Sequence, residues 1–365
     1  MDKPIRVAQI IGMATNGGVE SIIMNYYRHI DRTKVQFDFL VESESKIINK
    51  EEIEKMGGRI IIIPSYKKLF KYNKELKRIF KENNYDIVHS NMNTLSVFPL
   101  RVAKKCGIKV RIAHSHSTSN KKEFLRNLLK NILRRFSKVY ATHYFACGEL
   151  AGRYQFGNKT YDQGKVTIIR NAIDVEKFAY NEEVRNKVRK ELNIEDKFVI
   201  GHVGRFVTVK NHTFLIDVFN EVSKEKDNAV LLLVGDGPLQ SEIEDKVKQL
   251  GLRDRVIFYG STTEVAPLYN AMDVFVFPSL YEGLGMCLVE AQMSKVNFVC
   301  SEQVPNEAIA SLAGMKVSIK SSSKWKDAIL AQRTNKRIEN DFNGMNLYDI
   351  EQQSKELLKQ YQKMS

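Results

Sequence analysis

A chain of 365 residues that is 43% hydrophobic and 27% charged has room for two ordinary domains, each with its own core, and its composition is that of a folded protein rather than a disordered or fibrous one. No apolar run approaches the ~18–20 residues that cross a bilayer, the first residues lack the apolar stretch and cleavage site of a secretory leader, and Cys106, Cys147, Cys287 and Cys300 have neither disulfide nor zinc-knuckle spacing, so a reducing cytoplasm is expected. The net charge of +14 is concentrated between Arg101 and Lys138, where twelve basic residues meet one acidic residue, Glu123; such a patch suits nucleic acid, anionic lipid or a phosphorylated substrate, or is simply a solvated face.

Short apolar runs alternate with longer amphipathic ones. Strands are expected at 6–11, 37–41, 59–63, 87–90, 110–114, 144–147 and 166–169, and then, after a restart, at 198–203, 230–234, 256–258, 274–277 and 297–300. Most are continuously apolar, as strands are when both faces of a parallel sheet are covered. Repeated strand–helix units of this kind predict doubly wound α/β domains.

The first strand runs into Gly12-Met-Ala-Thr-Asn-Gly-Gly-Val-Glu20, and a helix is expected next. A strand, a glycine turn and a helix start form a general anion cradle, in which Gly17 and Gly18 let backbone approach a ligand. Neither P-loop nor dinucleotide-fingerprint spacing is present, and a plain tight turn is the alternative. Further on, Val110-Arg-Ile-Ala-His-Ser-His-Ser117 closes a strand on two histidines, His114 and His116, with no acidic residue beside them to suggest zinc.

From 121 to 139 the apolar residues Phe124, Leu125, Leu128, Leu129, Ile132, Leu133 and Phe136 recur at three- and four-residue intervals, and Lys122, Arg126, Lys130, Arg134 and Lys138 fall between them. An amphipathic helix with a basic rim is expected, its apolar face mostly packed and its rim, Lys122, Arg126, Lys130 and Arg134, drawn to anionic membrane. Each such cation near the surface is worth about 1 kcal/mol.

In the second half His202-Val203 leads into Gly204-Arg-Phe-Val-Thr-Val-Lys210-Asn211, with a helix beginning near Asn211. Arg205 and Lys210 then stand in the loop over the carboxyl end of a parallel strand, where such sheets bind ligands, and a guanidinium fork with a point-charge ammonium suits a diphosphate. Val234-Gly-Asp-Gly-Pro238 stops a strand sharply, and the loop after Val256-Ile-Phe-Tyr-Gly260 lies on the same edge. The most informative stretch is Pro278-Ser-Leu-Tyr-Glu-Gly-Leu-Gly-Met-Cys-Leu-Val-Glu290. Here a buried strand ends, a Glu-Gly-x-Gly turn opens a helix, and Glu282 and Glu290 bracket that helix's amino end. Free N–H groups at such an end attract phosphate, and carboxylates on either side can hold hydroxyls, the order found in a nucleotide sugar. Residues 304–345 give only weak strand signals around Trp325, and 349–364 reads as a helix.

In order along the chain, Gly-Gly-Val-Glu20, Ala-His114-Ser-His116, Asn171-Ala-Ile-Asp174, Gly204-Arg205 with Lys210-Asn211, and Pro278-Ser-Leu-Tyr-Glu282-Gly with Glu290-Ala resemble the retaining nucleotide-sugar glycosyltransferases of family 4 type that build capsular and exopolysaccharides. The resemblance covers roughly residues 5–300. It implies the GT-B fold: an acceptor-binding Rossmann-like domain over 1–172, a donor-binding one over 173–345, the two facing a central cleft, and a helix over 346–365 packing back across them. Glu290 would hold the ribose and Glu282 the transferred sugar, beside the amides of Gly283, Leu284, Gly285 and Met286. Gly204, Arg205 and Lys210 would attend the departing diphosphate, where negative charge develops. His114 or His116 would line the sugar pocket, and Gly17 and Gly18 would shape the acceptor side.

No metal or other cofactor is implied, nor a covalent nucleophile. The donor expected is a UDP-sugar, the acceptor a lipid-linked saccharide, and the place the inner face of the cell membrane, with no nucleic acid as partner. A nucleotide-sugar epimerase on the same fold is the alternative, although no acid/base carboxylate pair stands on the first-domain side. A basic nucleic-acid-binding protein is another, although the basic stretch carries no recognised motif and is laced with leucines. Two departures from the family pattern stand out: Ser294-Lys-Val296 where Gly-x-Pro is frequent, and Cys287 where proline is common.

Overall fold

The computed structural model describes residues 3–13, 18–45, 50–116, 124–311, 314–332 and 347–365, with backbone only over 124–130. The chain forms two compact units, Met1–Asp174 with Leu347–Ser365, and Val175–Asn346.

The first unit is built on seven parallel strands, β1 (Ile5–Gly12), β2 (Val35–Glu42), β3 (Arg59–Ile63), β4 (Ile87–Ser90), β5 (Val110–Ser115), β6 (His143–Ala146) and β7 (Val166–Ile168), in the spatial order β3-β2-β1-β4-β5-β6-β7. Side chains alternate between the faces of a strand, so each strand feeds two cores. Val7, Phe37, Ile87, Ile112 and Phe145 pack on one face with Tyr26 and Tyr27 of the helix Gly18–His29. Ala8, Ile10, Leu40, Val88 and Ala113 pack on the other, with Leu76 and Phe80 of Leu69–Asn83 and Leu100 of Val97–Lys105. Burial on both faces accounts for the continuous apolar runs in the sequence. A carboxylate also lies inside: Asp38 of β2 is fully buried but accepts from Arg6 at 2.6 Å, from the Tyr85 hydroxyl at 2.7 Å, and from Arg59.

The last helix, Ile350–Met364, belongs to this unit. Asp349 caps it, accepting from Glu351 N at 3.0 Å, and its approach is pinned by Ile173 N to Tyr348 O (2.9 Å) and Ile350 N to Ile173 O (3.0 Å). Leu357 and Tyr361 then enter the core of Val7 and Phe37.

The second unit repeats the plan with six parallel strands, β8 (Phe198–Val203), β9 (Ala229–Val234), β10 (Val256–Gly260), β11 (Val274–Phe277), β12 (Asn297–Ser301) and β13 (Gly314–Val317), ordered β10-β9-β8-β11-β12-β13. Ile200, Leu231, Leu233, Val276 and Val299 pack against Phe219 of His212–Glu225, Ile243 of Gln240–Gln249 and Trp325 of Ser322–Ala331. β13 and the helix Ser322–Ala331 come from the stretch in which the sequence gave little signal. β13 is a four-residue edge strand with Met315 exposed. The helix holds only three buried residues, and the indole of Trp325 donates to Ser318 O at 3.0 Å. In each unit the strand order reverses at one place, between β1 and β4 and between β8 and β11, where open α/β sheets form a crevice beyond their carboxyl ends.

Candidate functional site

In the second unit the loops that follow β8 and β11 flank this reversal. The loop after β8 is stitched to that after β9 by Gly204 N to Val234 O (2.9 Å) and Phe206 N to Asp236 O (2.7 Å). Gly235 sits at φ +136°, and a Cβ there would lie 2.3 Å from Gly204 O, so only glycine permits the approach. The loop after β11 is tied to the turn Thr208–Lys210 by Leu280 N to Val209 O (2.9 Å) and by Asn211 Nδ2 to Pro278 O (3.2 Å).

These ties bring Lys210 Nζ within 2.7 Å of Glu282 Oε1, with the two side chains 16% and 11% exposed, and set the ammonium 4.7 Å from the Phe277 ring centroid. Burial on its own lowers the Lys210 pKa, but attraction to Glu282, the hydrogen bond with it, and the influence of Cys287 and Glu290 together outweigh burial and the pKa is raised. His202 and His212 lie buried beside this turn, and burial holds both pKa values down, that of His212 to about 4. Lys210 is therefore the cation of this corner, flanked by neutral imidazoles. Arg205, one loop residue past Gly204, is exposed, and its guanidinium has no hydrogen-bonding or ionic partner among the described residues.

Gly285, at φ +92°, opens the helix Met286–Met293, and a Cβ there would press to 2.9 Å on the Phe277 ring. Leu288 N and Val289 N donate to Gly285 O, which leaves the amides of Met286 and Cys287, at the very start of the helix, without an intrahelical acceptor. Glu290 is partly buried within the helix and accepts from the Tyr269 hydroxyl at 2.8 Å. Burial raises its pKa, and the Tyr269 bond and Lys210 offset part of the rise. The elements expected of the donor site, Gly204, Arg205, Lys210, Glu282, Gly283, Leu284, Gly285, Met286 and Glu290, thus lie in the loop after β8 or in the turn and helix after β11. Tyr269 was not legible, because it sits in a helix of only six residues, Ala266–Ala271, five of which are buried and give no sign of which one reaches the site.

In the first unit His114 and His116 are buried at the carboxyl end of β5, 4% and 9% exposed, with ring centroids 4.0 Å apart. A third histidine that sequence reasoning passed over, His89 of β4, stacks on His114 at 5.1 Å. Its signal was a polar residue inside an apolar strand, two before Asn91. Burial pushes the His89 pKa down to about 3 and that of His116 to about 4, and holds His114 well below the usual range, so all three are neutral at pH 7. Gly17 lies outside the described residues. Gly18 starts its helix exposed, and an added Cβ there would meet nothing within 4 Å, so among the described residues no contact requires glycine at that position.

In the basic helix, Phe124–Tyr140, side chains are described only from Asn131 onward. The side chains of Lys122, Arg126 and Lys130 lie outside the described residues. Arg134 does not stand free: it donates to Tyr154 O at 2.9 Å and lies over the Tyr154 ring. Lys138 likewise donates to Thr160 Oγ1 at 3.0 Å. The outward side carries both kinds of residue: Arg135 and Lys138 are exposed, and Ile132, Phe136 and Val139 are 49%, 47% and 49% exposed along one stripe. Among the described residues no helix is long and apolar enough to cross a membrane, and no three His, Cys, Asp or Glu side chains converge as metal ligands would.

Two parallel α/β sheets, each reversing its strand order once, with Lys210, Glu282 and Glu290 in the segments beyond the β8/β11 reversal, define a protein of two doubly wound α/β units. Residues 16–177 match the model of Glycosyltransferase Family 4, and residues 184–340 that of Glycosyl transferases group 1. The chain is 36% identical over 313 residues to a putative glycosyltransferase, EpsF, of Bacillus subtilis, covering 84% of this chain and 82% of that one. It is 22% identical over 309 residues to the Escherichia coli UDP-Gal:alpha-D-GlcNAc-diphosphoundecaprenol alpha-1,3-galactosyltransferase, covering 81% and 79%. Among solved structures, Anabaena Alr3699/HepE in complex with UDP and glucose superposes with a TM-score of 0.80 at 17% identity, over 98% of this chain and 99% of that one. The chain belongs to the glycosyltransferases, with a family 4 first half and a group 1 second half, and its fold is GT-B.

Proposed function

We propose that the protein is a retaining glycosyltransferase that moves a sugar from a nucleoside diphosphate, UDP by preference, to a lipid-linked saccharide during polysaccharide assembly, working at the inner face of the cell membrane. The observation that carries the reading is the Lys210–Glu282 pair at the β8/β11 reversal, with Arg205 open beside it and Glu290 held by Tyr269. A diphosphate leaving group gains negative charge as the glycosidic bond breaks, and a preorganised ammonium in a partly buried corner stabilises that charge without reorganising. Arg205 is placed in sequence to add a two-pronged contact. The helix amides after Gly285 suit phosphate oxygens, Glu290 the ribose hydroxyls, and Glu282 a sugar hydroxyl. His114 or His116, neutral, contacts the sugar. No residue is assigned as a covalent nucleophile, and no metal is called for.

The relatives support the donor and acceptor classes: the Escherichia coli enzyme is named for a UDP-sugar and a diphosphoundecaprenol acceptor, and the Anabaena structure contains UDP and glucose. The stripe Ile132, Phe136, Val139 supports peripheral membrane contact. The test is a thermal-shift series against UDP, GDP and ADP followed by transfer assays with the matching sugars. A ligand at 100 times its Kd adds about 2.7 kcal/mol. No shift with any nucleotide, and no hydrolysis or transfer, overturns the reading; a product of inverted anomeric configuration overturns retention.

A further inference from the structure

The three histidines of the first unit belong to one chain of hydrogen bonds that begins in the last helix. Gln9 of β1 pairs in register with His89 of β4, and β5 brings His114 to the same face two residues beyond the partner of His89. Tyr361, fully buried, reaches this face from Ile350–Met364. The contacts run from Asn91 Nδ2 to Gln9 Oε1 (2.9 Å) and from Gln9 Nε2 to the Tyr361 hydroxyl oxygen (3.0 Å). They continue from that hydroxyl to His89 Nδ1 (2.7 Å) and from His89 Nε2 to His114 Nδ1 (3.0 Å). The chain ends at His114 Nε2, which is buried and without a hydrogen-bond partner among the described residues.

Each link dictates the next. The amide nitrogen of Asn91 lies 3.5 Å from His89 O, an oxygen that only accepts, which fixes that amide's orientation. Gln9 must then present its oxygen to Asn91 and its nitrogen to Tyr361. The Tyr361 oxygen accepts that bond, so its proton goes to His89 Nδ1. His89 therefore carries its proton on Nε2 and donates to His114 Nδ1, and His114 carries its own proton on Nε2. Asn91 Oδ1, fixed by the same orientation, faces His116 Nε2 at 2.9 Å and accepts from it. Turned the other way, every bond in the chain would reverse and His114 Nε2 would be a bare acceptor.

We propose that Tyr361 acts through His89 as a positioning residue, holding His114 in the Nε2–H tautomer so that a single oriented donor is offered to a substrate oxygen. Under the glycosyl-transfer reading, on which the donor's use rests, that oxygen is a sugar hydroxyl. A neutral imidazole buried with one unspent N–H costs stability unless a ligand completes it, and the network supplies the donor in one orientation before any ligand arrives.

The experiment is long-range ¹H–¹⁵N correlation on the full chain labelled with ¹⁵N-histidine, with His114 assigned by the loss of its signals in His114→Asn. In the wild-type protein His114 Nε2 is expected to bear the proton and Nδ1 to be an acceptor, a reading that needs no folded variant of Tyr361. In Tyr361→Phe His89 loses its donor, His114 is expected to lose the fixed Nε2–H signature, and kcat for sugar transfer is expected to fall about tenfold, the worth of one hydrogen bond, with little change in KM. A bare Nε2 in the wild-type protein, or an unchanged tautomer in Tyr361→Phe, overturns the relay. An unchanged kcat after the tautomer has shifted overturns the donor role. A correct tautomer in a protein that transfers no sugar would sink the glycosyl-transfer reading and leave the relay standing.

Discussion

Lys210 and Glu282, seventy-two residues apart in sequence, meet at 2.7 Å in a corner that is mostly closed to solvent. The carboxylate holds the ammonium at the place where a leaving diphosphate would need it. Breaking such a pair strands a partly buried charge. Lys210→Ala is therefore expected to lower stability by about 3 kcal/mol and kcat by roughly 10²–10³-fold. Glu282→Gln keeps an acceptor for the ammonium and should cost less stability. Denaturant titration and single-turnover transfer measure the two effects, and wild-type rates in Lys210→Ala would contradict its role.

Glu290 gives a pH signature. Its pKa is raised in the folded protein, chiefly by burial. A raised carboxyl contributes stability that is fully present below its unfolded pKa of about 4.5 and is lost as pH rises through the folded value. Glu290→Gln removes this linkage, so the variant should gain stability relative to wild type as pH climbs from 4.5 toward neutrality, while its affinity for nucleotide falls. Urea midpoints measured at half-unit pH steps check the first outcome, and titration with UDP the second.

Lys295 occupies the left-handed region at φ +55°, in the turn Ser294-Lys-Val296 that stands in place of the expected glycine and proline. A side chain there costs roughly 1–2 kcal/mol, partly returned because glycine is more flexible when unfolded. Lys295→Gly should raise the melting temperature by a few degrees. Lys295→Pro should lower it, because Lys295 N donates to Gln292 O at 2.9 Å. A lower melting temperature for the glycine variant would show that the turn is not strained.

The exposed stripe on Phe124–Tyr140 predicts which side chains matter at a membrane. Phe136→Glu should reduce co-sedimentation with anionic vesicles severalfold by adding charge to the apolar face. Arg134→Ala should change it little, because that guanidinium is held to Tyr154. Equal effects from both would favour a purely electrostatic contact, which steep salt dependence would also reveal.

The parallel sheets were legible because inner strands covered on both faces are largely apolar, and among the described residues twelve of the thirteen strands coincide with apolar runs in the sequence. β13 did not, because an edge strand with Met315 and Lys316 exposed carries no such run. In the second unit the loop positions of Arg205, Lys210 and Glu282 followed from glycines and charges at strand ends. The partners that hold them did not: Tyr269 is one apolar residue among several, and His89 and Tyr361 join His114 only through register and a helix returning from far along the chain. The outward face of the basic helix was legible only in part, because periodicity separates two faces without saying which residues on them find a partner.

That returning helix has a consequence for biosynthesis. The first sheet is translated early, yet Leu357 and Tyr361, which complete one of its cores, come off the ribosome only after the whole second unit. The nascent amino-terminal half must wait with an open flank of Val7 and Phe37, so premature termination or a clipped tail would leave an adhesive, incompletely folded product rather than a merely shortened one.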